Sequence, residues 1–520
     1  MSRYCGRVVL ILLSVGSMAF AQQRQPNIIV IMTDDHAKKA TSLYDGSLNA
    51  TPNIDRIGAE GVTFRNAFVT NSICGPSRAV FLTGVYSHIN GMYDHSRRFD
   101  SSQVTLPKIL RGNGYFTAIV GKWHLVTTPT GFDYWKVLID QGEYYNPNFI
   151  EMGDTSRYEG YATDIITDLA IETIEKRVGD KPFFLMVNEK APHRNWMPDT
   201  THLRMYDDRE MPMPENFSDD YSDRTRAATE QDMEVRNMYL SSDMKLYMPE
   251  NEPETGTGGK ATFNAKADWK RLYERMNIAQ KKAWDEYYKP ISDAFYKERP
   301  EGTKLAEWKY QRYIKDYLRC IASVDENVGR LLAYLEKKNL LDNTLIVYTS
   351  DQGFFLGEHG WYDKRFMYEE SIGIPLVMRL PSMISRGTDR SELVLNLDLA
   401  PTILQVAGVA TPQRMQGSSL VPLFKSGDVP EWRSAVYYHY YEYPHGWHNV
   451  KRHYGIRTDR YKLIHFYNDN DEWELFDLKS DPFEMHNLYG KPERQTLVSS
   501  LNREMISLMQ KYKDTTVVQP

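Results

Sequence analysis

Cysteine is scarce in this chain, which holds three in 520 residues. Cys5 lies in an N-terminal segment that we expect to be removed, so Cys74 and Cys320 remain in the mature protein. A disulfide between these two is compatible with export, but so few cysteines exclude a small fold held together by disulfides. A chain of this length is expected to bury a large hydrophobic core, divided either among two or more domains or between one large domain and a smaller companion.

Long apolar stretches are missing after the first 21 residues, which excludes a transmembrane helix in the mature chain. Residues 1–21 have the features of a signal peptide. Arg3 and Arg7 form a charged start, Val8 to Val15 is apolar but too short to cross a bilayer, and Ala19-Phe20-Ala21 is a cleavage pattern. We therefore predict an exported protein, periplasmic or secreted, without stable membrane insertion.

A strong excess of either charge is missing as well. The formal net charge is −6, which gives no general attraction to nucleic acid, and we predict no nucleic-acid partner. Recognition of an anion would have to depend on a local cluster of cations.

What the chain does have is a series of short apolar runs, each followed by polar residues. The runs at 28–32, 115–120, 183–187 and 344–349 predict strands buried on both faces, as in a parallel sheet. Helix-like segments separate them, so we predict an α/β protein with a central, mostly parallel sheet flanked by helices. The carboxyl ends of such strands meet at one edge of the sheet, where ligands bind.

Acidic and amide side chains follow two of these runs. Asp34 and Asp35 come after the first run, and Asp351 and Gln352 come after the last. Adjacent carboxylates at a buried edge repel each other, so a cation between them would stabilise the pair. Oxygen ligands favour Ca²⁺ or Mg²⁺ over zinc. The alternative is a solvated acidic turn without a metal.

Cations and imidazoles follow the other two runs. Lys122 and His124 come after the second run, and Lys190 and His193 come after the third. A lysine there could neutralise a bound anion, and a histidine could transfer protons near neutral pH. Taken alone, each of these short motifs could equally be a surface loop.

Cys74 stands two residues before Pro76, a residue that is favoured at the first position of a helix. We therefore expect a helix to begin near Pro76, with Cys74 at its amino end. The free N–H groups and partial positive charge of a helix start attract anions, and Arg78 adds a full charge one turn further on. The alternative is a structural cysteine at a helix start.

The pentapeptide Cys74-Gly75-Pro76-Ser77-Arg78 resembles the signature of the type I, formylglycine-dependent sulfatases. Other segments that resemble this family are Asp34-Asp35, Gly121-Lys122-Trp123-His124, Ala191-Pro192-His193, Ser350-Asp351-Gln352-Gly353, Leu356-Gly357-Glu358-His359-Gly360 and Asp363-Lys364-Arg365. The resemblance covers nearly the whole mature chain. Because all of these motifs match the same family, coincidence is improbable.

The resemblance implies an alkaline-phosphatase-like α/β sandwich with a smaller C-terminal α+β subdomain. It also implies that Asp34, Asp35, Asp351 and Gln352 hold one divalent cation, Ca²⁺ with Mg²⁺ as the alternative. Gln352 departs from the commoner Asn or His at its position, and Gly75 is a less usual occupant of its own.

By the same resemblance, a formylglycine-generating enzyme oxidises Cys74 to formylglycine, whose hydrate attacks sulfur. The implied catalytic set is Cys74 with three cations that stabilise the transferring group and two histidines: Arg78, Lys122, Lys364, His124 and His193. His193 would protonate the leaving oxygen, and His124 would remove the proton whose loss releases sulfate.

For the substrate, the chain is most similar to bacterial carbohydrate sulfatases that remove 6-O-sulfate from N-acetylglucosamine of host glycans, mucin or glycosaminoglycan. Asp363 and Arg365 are candidates to bind sugar hydroxyls, or they only position Lys364. Trp196 could stack on a sugar or pack inside the protein. His445 and Arg452 are further substrate-binding candidates. The rivals are another glycosaminoglycan sulfatase, a phosphonate or phosphate monoester hydrolase, and a non-catalytic glycan-binding protein.

The predicted organisation is a signal peptide at 1–21, a catalytic α/β domain at 22–425 and a C-terminal subdomain at 426–520. A charged and aromatic-rich insertion at about 200–310 interrupts the α/β pattern. We expect it to form one wall of the cleft, and the alternative is a solvated helical excursion that does not contact substrate.

Overall fold

The structure is a computed structural model that describes residues 25–177, 179, 181–257 and 262–517. The predicted signal peptide lies outside the described residues. Among the helices of the described part, none combines the length and the apolar character needed to cross a membrane.

Strands and helices alternate along the first half of the chain, as predicted. The strands are β1 Asn27–Thr33, β2 Val62–Phe68, β3 Phe116–Gly121, β4 Tyr134–Leu138, β5 Asn148–Glu151, β6 Asp154–Arg157, β7 Phe183–Asn188, β8 Thr344–Ser350, β9 Phe355–Leu356, β10 Tyr362–Asp363, β11 Leu376–Arg379, β12 Thr388–Leu395, β13 Ala435–Tyr440, β14 His453–Thr458, β15 Tyr461–Phe466 and β16 Glu472–Asp477. The helices are α1 Pro52–Ala59, α2 Cys74–Thr83, α3 Ser87–Asn90, α4 Leu106–Gly112, α5 Ala162–Lys176, α6 Arg226–Glu230, α7 Ala265–Arg275, α8 Ile278–Glu298, α9 Gly302–Lys337, α10 Glu369–Ile372, α11 Leu399–Val406 and α12 Gln495–Tyr512.

A sheet of ten strands forms the centre of the molecule, in the order β12-β2-β11-β8-β1-β7-β3-β4-β5-β6. The five central strands, from β8 to β4, are mutually parallel. Strand β11 is antiparallel to both of its neighbours, and β5 and β6 are antiparallel additions at the opposite end. The predicted α/β class with a central, mostly parallel sheet is therefore confirmed, in a mixed form.

Three of the apolar runs form the middle of this sheet, and as a result every residue of β1, β7 and β8 is buried. Alternate residues of β1 enter two different cores. Ile28 and Val30 belong to the core shared with α2, α11 and the C-terminal strands. Ile29 and Ile31 belong to the core shared with α5, α9 and the aromatic side chains of α8. Helices therefore cover both faces, as a parallel sheet requires.

The C-terminal region forms a second, antiparallel sheet of four strands in the order β13-β14-β15-β16, with α12 packed against it. We call these four strands the small sheet. Ile456 and Ile464 of the small sheet enter the same core as β1 and α2, so the region is packed on the main sheet as expected.

Asp398, which directly precedes α11, is a buried acid that ties together three segments of the chain. Its carboxylate accepts hydrogen bonds from the backbone N–H of Leu395 at 2.8 Å and of Ser418 at 2.8 Å, and it pairs with Arg433. Its side chain accepts no cap hydrogen bond from the first N–H groups of α11. A buried carboxylate is stabilised better by a guanidinium and two amides than by the helix start alone.

Candidate active site

The carboxyl ends of β1, β3, β7 and β8 meet at one edge of the sheet, and backbone hydrogen bonds tie the loops that follow them. The N–H of Asp351 donates to Thr33 O at 3.1 Å, the N–H of Asp34 donates to Ala191 O at 3.3 Å, and the N–H of Lys122 donates to Asn188 O at 2.7 Å. Polar residues far apart in the sequence are thereby held together without depending on their own side chains.

Three buried carboxylates occupy this edge. The carboxylate oxygens of Asp34, Asp35 and Asp351 lie within 4.8 Å of one another. Burial raises the pKa of Asp351 to about 7, and repulsion from Asp34 adds to this rise. Burial likewise raises the pKa of Asp35 to about 6. The carboxylates therefore repel one another at this buried edge, and a cation bound among them would lower the pKa values of Asp35 and Asp351.

The donor set fits a hard divalent cation. Gln352 donates its amide N–H to Asp35, and its Oε1 is buried without a hydrogen-bond partner. Oδ1 of Asp34 is likewise buried and lacks a hydrogen-bond partner. Orphaned buried oxygens are costly unless a donor or cation satisfies them. The amide oxygen of Gln352 and the oxygens of the three carboxylates are ligands of the kind that Ca²⁺ and Mg²⁺ take.

Each of the three predicted cations contacts one of these acids. Arg78 donates from Nε to Asp351 Oδ2 at 2.9 Å. Lys122 pairs with Asp34 and Lys364 lies 2.7 Å from both carboxylate oxygens of Asp35. Burial opposes ionisation of Asp34, but the charges of Lys122 and Arg78 lower its pKa well below the usual range. An anion bound among these three cations could accept hydrogen bonds from them in place of the carboxylates.

Cys74 is the first residue of α2, two residues earlier than predicted, and it is 1% exposed. The amide Nε2 of Gln352 lies 3.6 Å from its sulfur. Burial, with the nearby Asp34 charge, raises the pKa of the thiol well above its usual value. The unmodified side chain is therefore a neutral thiol and a poor nucleophile. Both Cys74 and Cys320 are free, so the disulfide that the sequence allowed does not form.

The two predicted imidazoles both lie close to the Cys74 side chain. His193 donates from Nδ1 to the carbonyl of Arg194 at 2.8 Å, and its Nε2 lies 3.8 Å from Asp35 Oδ2. The amide nitrogen of Gln141 lies 3.0 Å from His124 Nε2, and its amide oxygen accepts from Lys122 at 2.5 Å. Burial lowers the pKa of His124 and His193 well below the usual value, so both are neutral in the form described.

A cavity of about 590 Å³ opens above this cluster, with Cys74 among its lining residues. Its wall combines the strand-end loops, the 94–96 loop, helix α7 and the loop after β13. Besides Cys74 its lining includes Asp94, His95, Ser96, Asp140, Gln141, Glu143, Lys190, His193, Arg194, Asn195, Asp268, Arg271, Leu272, Asp363, Lys364, Arg365, Glu442, His445 and Trp447. Helix α7 comes from the 200–310 segment, which therefore reaches the cleft.

Asp363 and Arg365 are both buried and both line the cavity. Asp363 accepts from the backbone N–H of Lys364 at 2.8 Å and lies 3.5 Å from His448 Nε2. Arg365 donates to Glu442 Oε2 at 2.6 Å. The two side chains are thus rigidly held beside Lys364, with an acceptor and a donor at the cavity wall.

Comparison with known proteins gives this site a family. The sulfatase family model matches residues 26–409, and the model for the C-terminal part of N-sulphoglucosamine sulphohydrolase matches residues 357–511. The chain belongs to the sulfatase family. It is a sulfuric ester hydrolase of the alkaline-phosphatase-like fold that the motifs predicted.

Among the relatives of this sulfatase, an N-acetylglucosamine-6-O-sulfatase of Bacteroides thetaiotaomicron is 48% identical over 511 residues, covering 96% of this chain and 90% of the relative. The human N-acetylglucosamine-6-sulfatase is 26% identical over 467 residues, covering 84% of this chain and 72% of that protein. The solved structure of another protein, in complex with that protein's substrate D-glucosamine-2-N,6-O-disulfate, superposes with a TM-score of 0.90 at 47% identity, covering 95% of this chain and 99% of the other.

Two predicted substrate-binding residues of the sulfatase are not among the residues that line the cavity. Trp196 is 0% exposed and packs against Tyr313, with ring centroids 4.7 Å apart, so its ring cannot contact a sugar. Arg452 donates from Nε to the carbonyl of Tyr441 at 2.7 Å and is not among the residues that line the cavity. His445 does line the cavity, as Asp363 and Arg365 do.

Replacement of Trp196 by alanine is expected to act on stability rather than on substrate binding. Removing a fully buried tryptophan typically lowers the free energy of unfolding by roughly 3–5 kcal/mol. Urea unfolding and Michaelis kinetics of Trp196→Ala would measure both effects. A variant of unchanged stability with a raised KM for sulfated sugars would contradict the buried position.

The sequence patterns did not indicate three polar residues that line the cavity together with Cys74: His95, Gln141 and Glu442. Gln141 follows β4, so a wider search of strand ends could have found it. Glu442 stands in the aromatic tract that contains His445, without a local signal for its role. His95 lies in an irregular loop, where no periodicity indicates which side chains turn inward.

Proposed function

We propose that this sulfatase is an exported enzyme that removes 6-O-sulfate from N-acetylglucosamine in sulfated glycans. The main support is the identity of 48% across nearly the full chain to a relative of that activity. The convergence of an acid cluster, three cations and Cys74 below a cavity walled by Asp363 and Arg365 is what such a reaction requires. Export rests on residues 1–21 alone.

We propose that Cys74 is oxidised to formylglycine by a formylglycine-generating enzyme. The hydrate of that aldehyde would supply one hydroxyl to attack sulfur and a second whose proton is lost when sulfate leaves. A divalent cation held by Asp34, Asp35, Asp351 and Gln352, for which Ca²⁺ is the first candidate, would polarise the sulfate oxygens. A thiol cannot replace the hydrate, because it carries no hydroxyl whose proton could be lost as sulfate leaves.

The side chains of the site then have separate tasks. Arg78, Lys122 and Lys364 stabilise the negative charge on the transferring group. His193, whose Nε2 points to the acid cluster, donates a proton to the sugar oxygen as its bond to sulfur breaks. Although burial favours its neutral form, a bound anion beside it favours protonation.

We assign His124 the opposite role: it accepts a proton from the hydroxyl that remains at residue 74. The sulfur of Cys74 and ring nitrogens of His95 and His124 lie within 4.8 Å of one another, which puts His124 within reach of that hydroxyl. Its Nδ1 is buried without a hydrogen-bond partner.

Arg365→Gln is expected to separate sugar recognition from chemistry. The substitution removes a charged donor at the cavity wall, and loss of one such hydrogen bond corresponds to roughly 1.5–3 kcal/mol, a fall of about 10–100-fold in kcat/KM for 6-sulfated N-acetylglucosamine. A small aryl sulfate, which has no sugar hydroxyls, should be turned over nearly as before. Arg452→Gln is the matched control, and it should leave both substrates unaffected. Equal losses on both substrates for Arg365→Gln would contradict a role in sugar binding.

The decisive test of the proposed function is a panel of defined esters. It contains N-acetylglucosamine 6-sulfate, its 3-sulfate isomer, galactose 6-sulfate and N-acetylglucosamine 6-phosphate, with the peptide mass at Cys74 checked first. We expect turnover of the first alone, or far ahead of the rest. Preference for galactose 6-sulfate would favour another glycosaminoglycan sulfatase, and preference for the phosphate ester would favour the phosphate or phosphonate hydrolase.

A further inference from the structure

The helix that begins at Cys74 lacks a cap from its own sequence. Ile73, which precedes it, has no side-chain hydrogen bond to offer. The first N–H groups of a helix need partners from elsewhere. One of them is supplied by a distant loop, because the N–H of Gly75 donates to Nε2 of His95 at 3.4 Å.

His95 is itself held by Glu442. The backbone N–H of His95 donates to Glu442 Oε1 at 3.2 Å, and its Nδ1 lies 3.4 Å from the same oxygen. Since Nε2 accepts from Gly75, the ring proton is on Nδ1, where it donates to the carboxylate. Burial opposes ionisation of Glu442, but hydrogen bonds from His95 and the charge of Arg365 lower its pKa to about 2.

The other oxygen of Glu442 accepts from Arg365 at 2.6 Å. Gly75, His95, Glu442 and Arg365 therefore form one continuous chain of contacts. It joins the residue next to the nucleophile position, a loop after α3, the loop after β13 and the sugar side of the cavity.

The glycine at 75 makes this arrangement possible. A Cβ at that position would lie 2.9 Å from Met92 Cε, 3.3 Å from the carbonyl of His124 and 3.3 Å from His95 Cδ2. A larger side chain would have to push the imidazole away from the helix start. The unusual glycine in the pentapeptide thus has a local structural reason.

We propose that His95, oriented by Glu442, is a positioning residue for the reaction at residue 74. It fixes the first turn of α2 and with it the direction of the residue-74 side chain, and it connects that turn to Arg365. This inference rests on the proposed reaction at residue 74 but does not depend on which sugar is the substrate.

The experiment compares His95→Ala and His95→Gln on 6-sulfated N-acetylglucosamine and on a small aryl sulfate, with kcat corrected for formylglycine content by peptide mass. Loss of orientation at a reacting group is expected to lower kcat of His95→Ala on the order of 10–100-fold for both substrates, with little change in KM. His95→Gln keeps an acceptor for Gly75, so it should recover most of that loss. His486→Ala, at an exposed histidine, is the control and should match the wild type.

A double-mutant cycle with Gly75→Ala tests the same point from the other side. If glycine is needed chiefly to admit His95, Gly75→Ala lowers kcat in the wild type and has little further effect in His95→Ala. Thermal midpoints of all variants separate this from unfolding.

Three outcomes would overturn the proposal: a folded His95→Ala variant with kcat within twofold of wild type, a His95→Gln variant as slow as His95→Ala, or additive effects in the cycle. If N-acetylglucosamine 6-sulfate is not a substrate at all, the aryl sulfate still reports on His95. Failure of the substrate assignment is then distinguishable from failure of this inference.

Discussion

Cys74→Ala is expected to abolish sulfate ester hydrolysis while the fold remains intact. Alanine carries no thiol that could be oxidised to the aldehyde, and loss of a nucleophile typically costs on the order of 10⁴-fold or more in turnover. The side chain is small and contacts chiefly Gln352, so the thermal midpoint should change little. Steady-state kinetics on an aryl sulfate, together with circular dichroism melting, would measure both.

Cys320→Ala is the matched control, because Cys320 is also a free, buried cysteine but is not among the residues that line the cavity. It should retain full turnover. Wild-type protein produced without the modifying enzyme should behave like Cys74→Ala, since its thiol has a raised pKa and only one ionisable proton. Substantial activity in either the alanine variant or the unmodified protein would refute the assignment of residue 74.

Removal of divalent ions is the second change with a large expected effect. Treatment with EDTA should lower turnover by about 10³-fold or more, because a cation among Asp34, Asp35 and Asp351 would supply several kcal/mol of charge stabilisation. Added Ca²⁺ or Mg²⁺ should restore activity. Binding of the ion to the folded protein alone should also raise the thermal midpoint in a concentration-dependent way.

A variant of the acid cluster provides a readout that does not depend on activity. Asp35→Asn should reduce the ion content measured by inductively coupled plasma mass spectrometry and remove the rise in thermal midpoint with Ca²⁺. Asp389→Asn changes an exposed carboxylate that pairs with Arg65, and it should alter neither. Full activity of metal-free protein would argue that the carboxylates serve only to pair with Arg78, Lys122 and Lys364.

The part of the fold that sequence could predict is the part fixed by short-range pattern. β1, β7 and β8 are continuous apolar runs because both of their faces are covered. Once parallel pairing is inferred, the meeting of Asp34, Lys122 and Asp351 follows from strand geometry. Their assembly was therefore predictable residue by residue.

Contacts that depend on distant segments could not be predicted in this way. His95 and Glu442 are 347 positions apart, and nothing near either residue indicates the other. Trp196 follows a polar turn that is typical of a surface loop, yet Tyr313, Phe354 and Tyr362 from later segments enclose it. Whether an aromatic side chain is covered is decided by what folds over it, and that information is spread over the whole chain.

The position of Glu442 has a consequence for how such enzymes can diversify. Two residues of the C-terminal region hold Arg365. Glu442, in the loop after β13, accepts a hydrogen bond from its guanidinium, and Tyr438, within β13, donates its hydroxyl to the Arg365 carbonyl at 2.6 Å. Grafting the last hundred or so residues of a distant homologue onto this chain would replace both supports at once. A chimera of this kind would lose the support of Arg365 and the orientation of His95 together, unless the donor brought an acid and a phenol to the same two places.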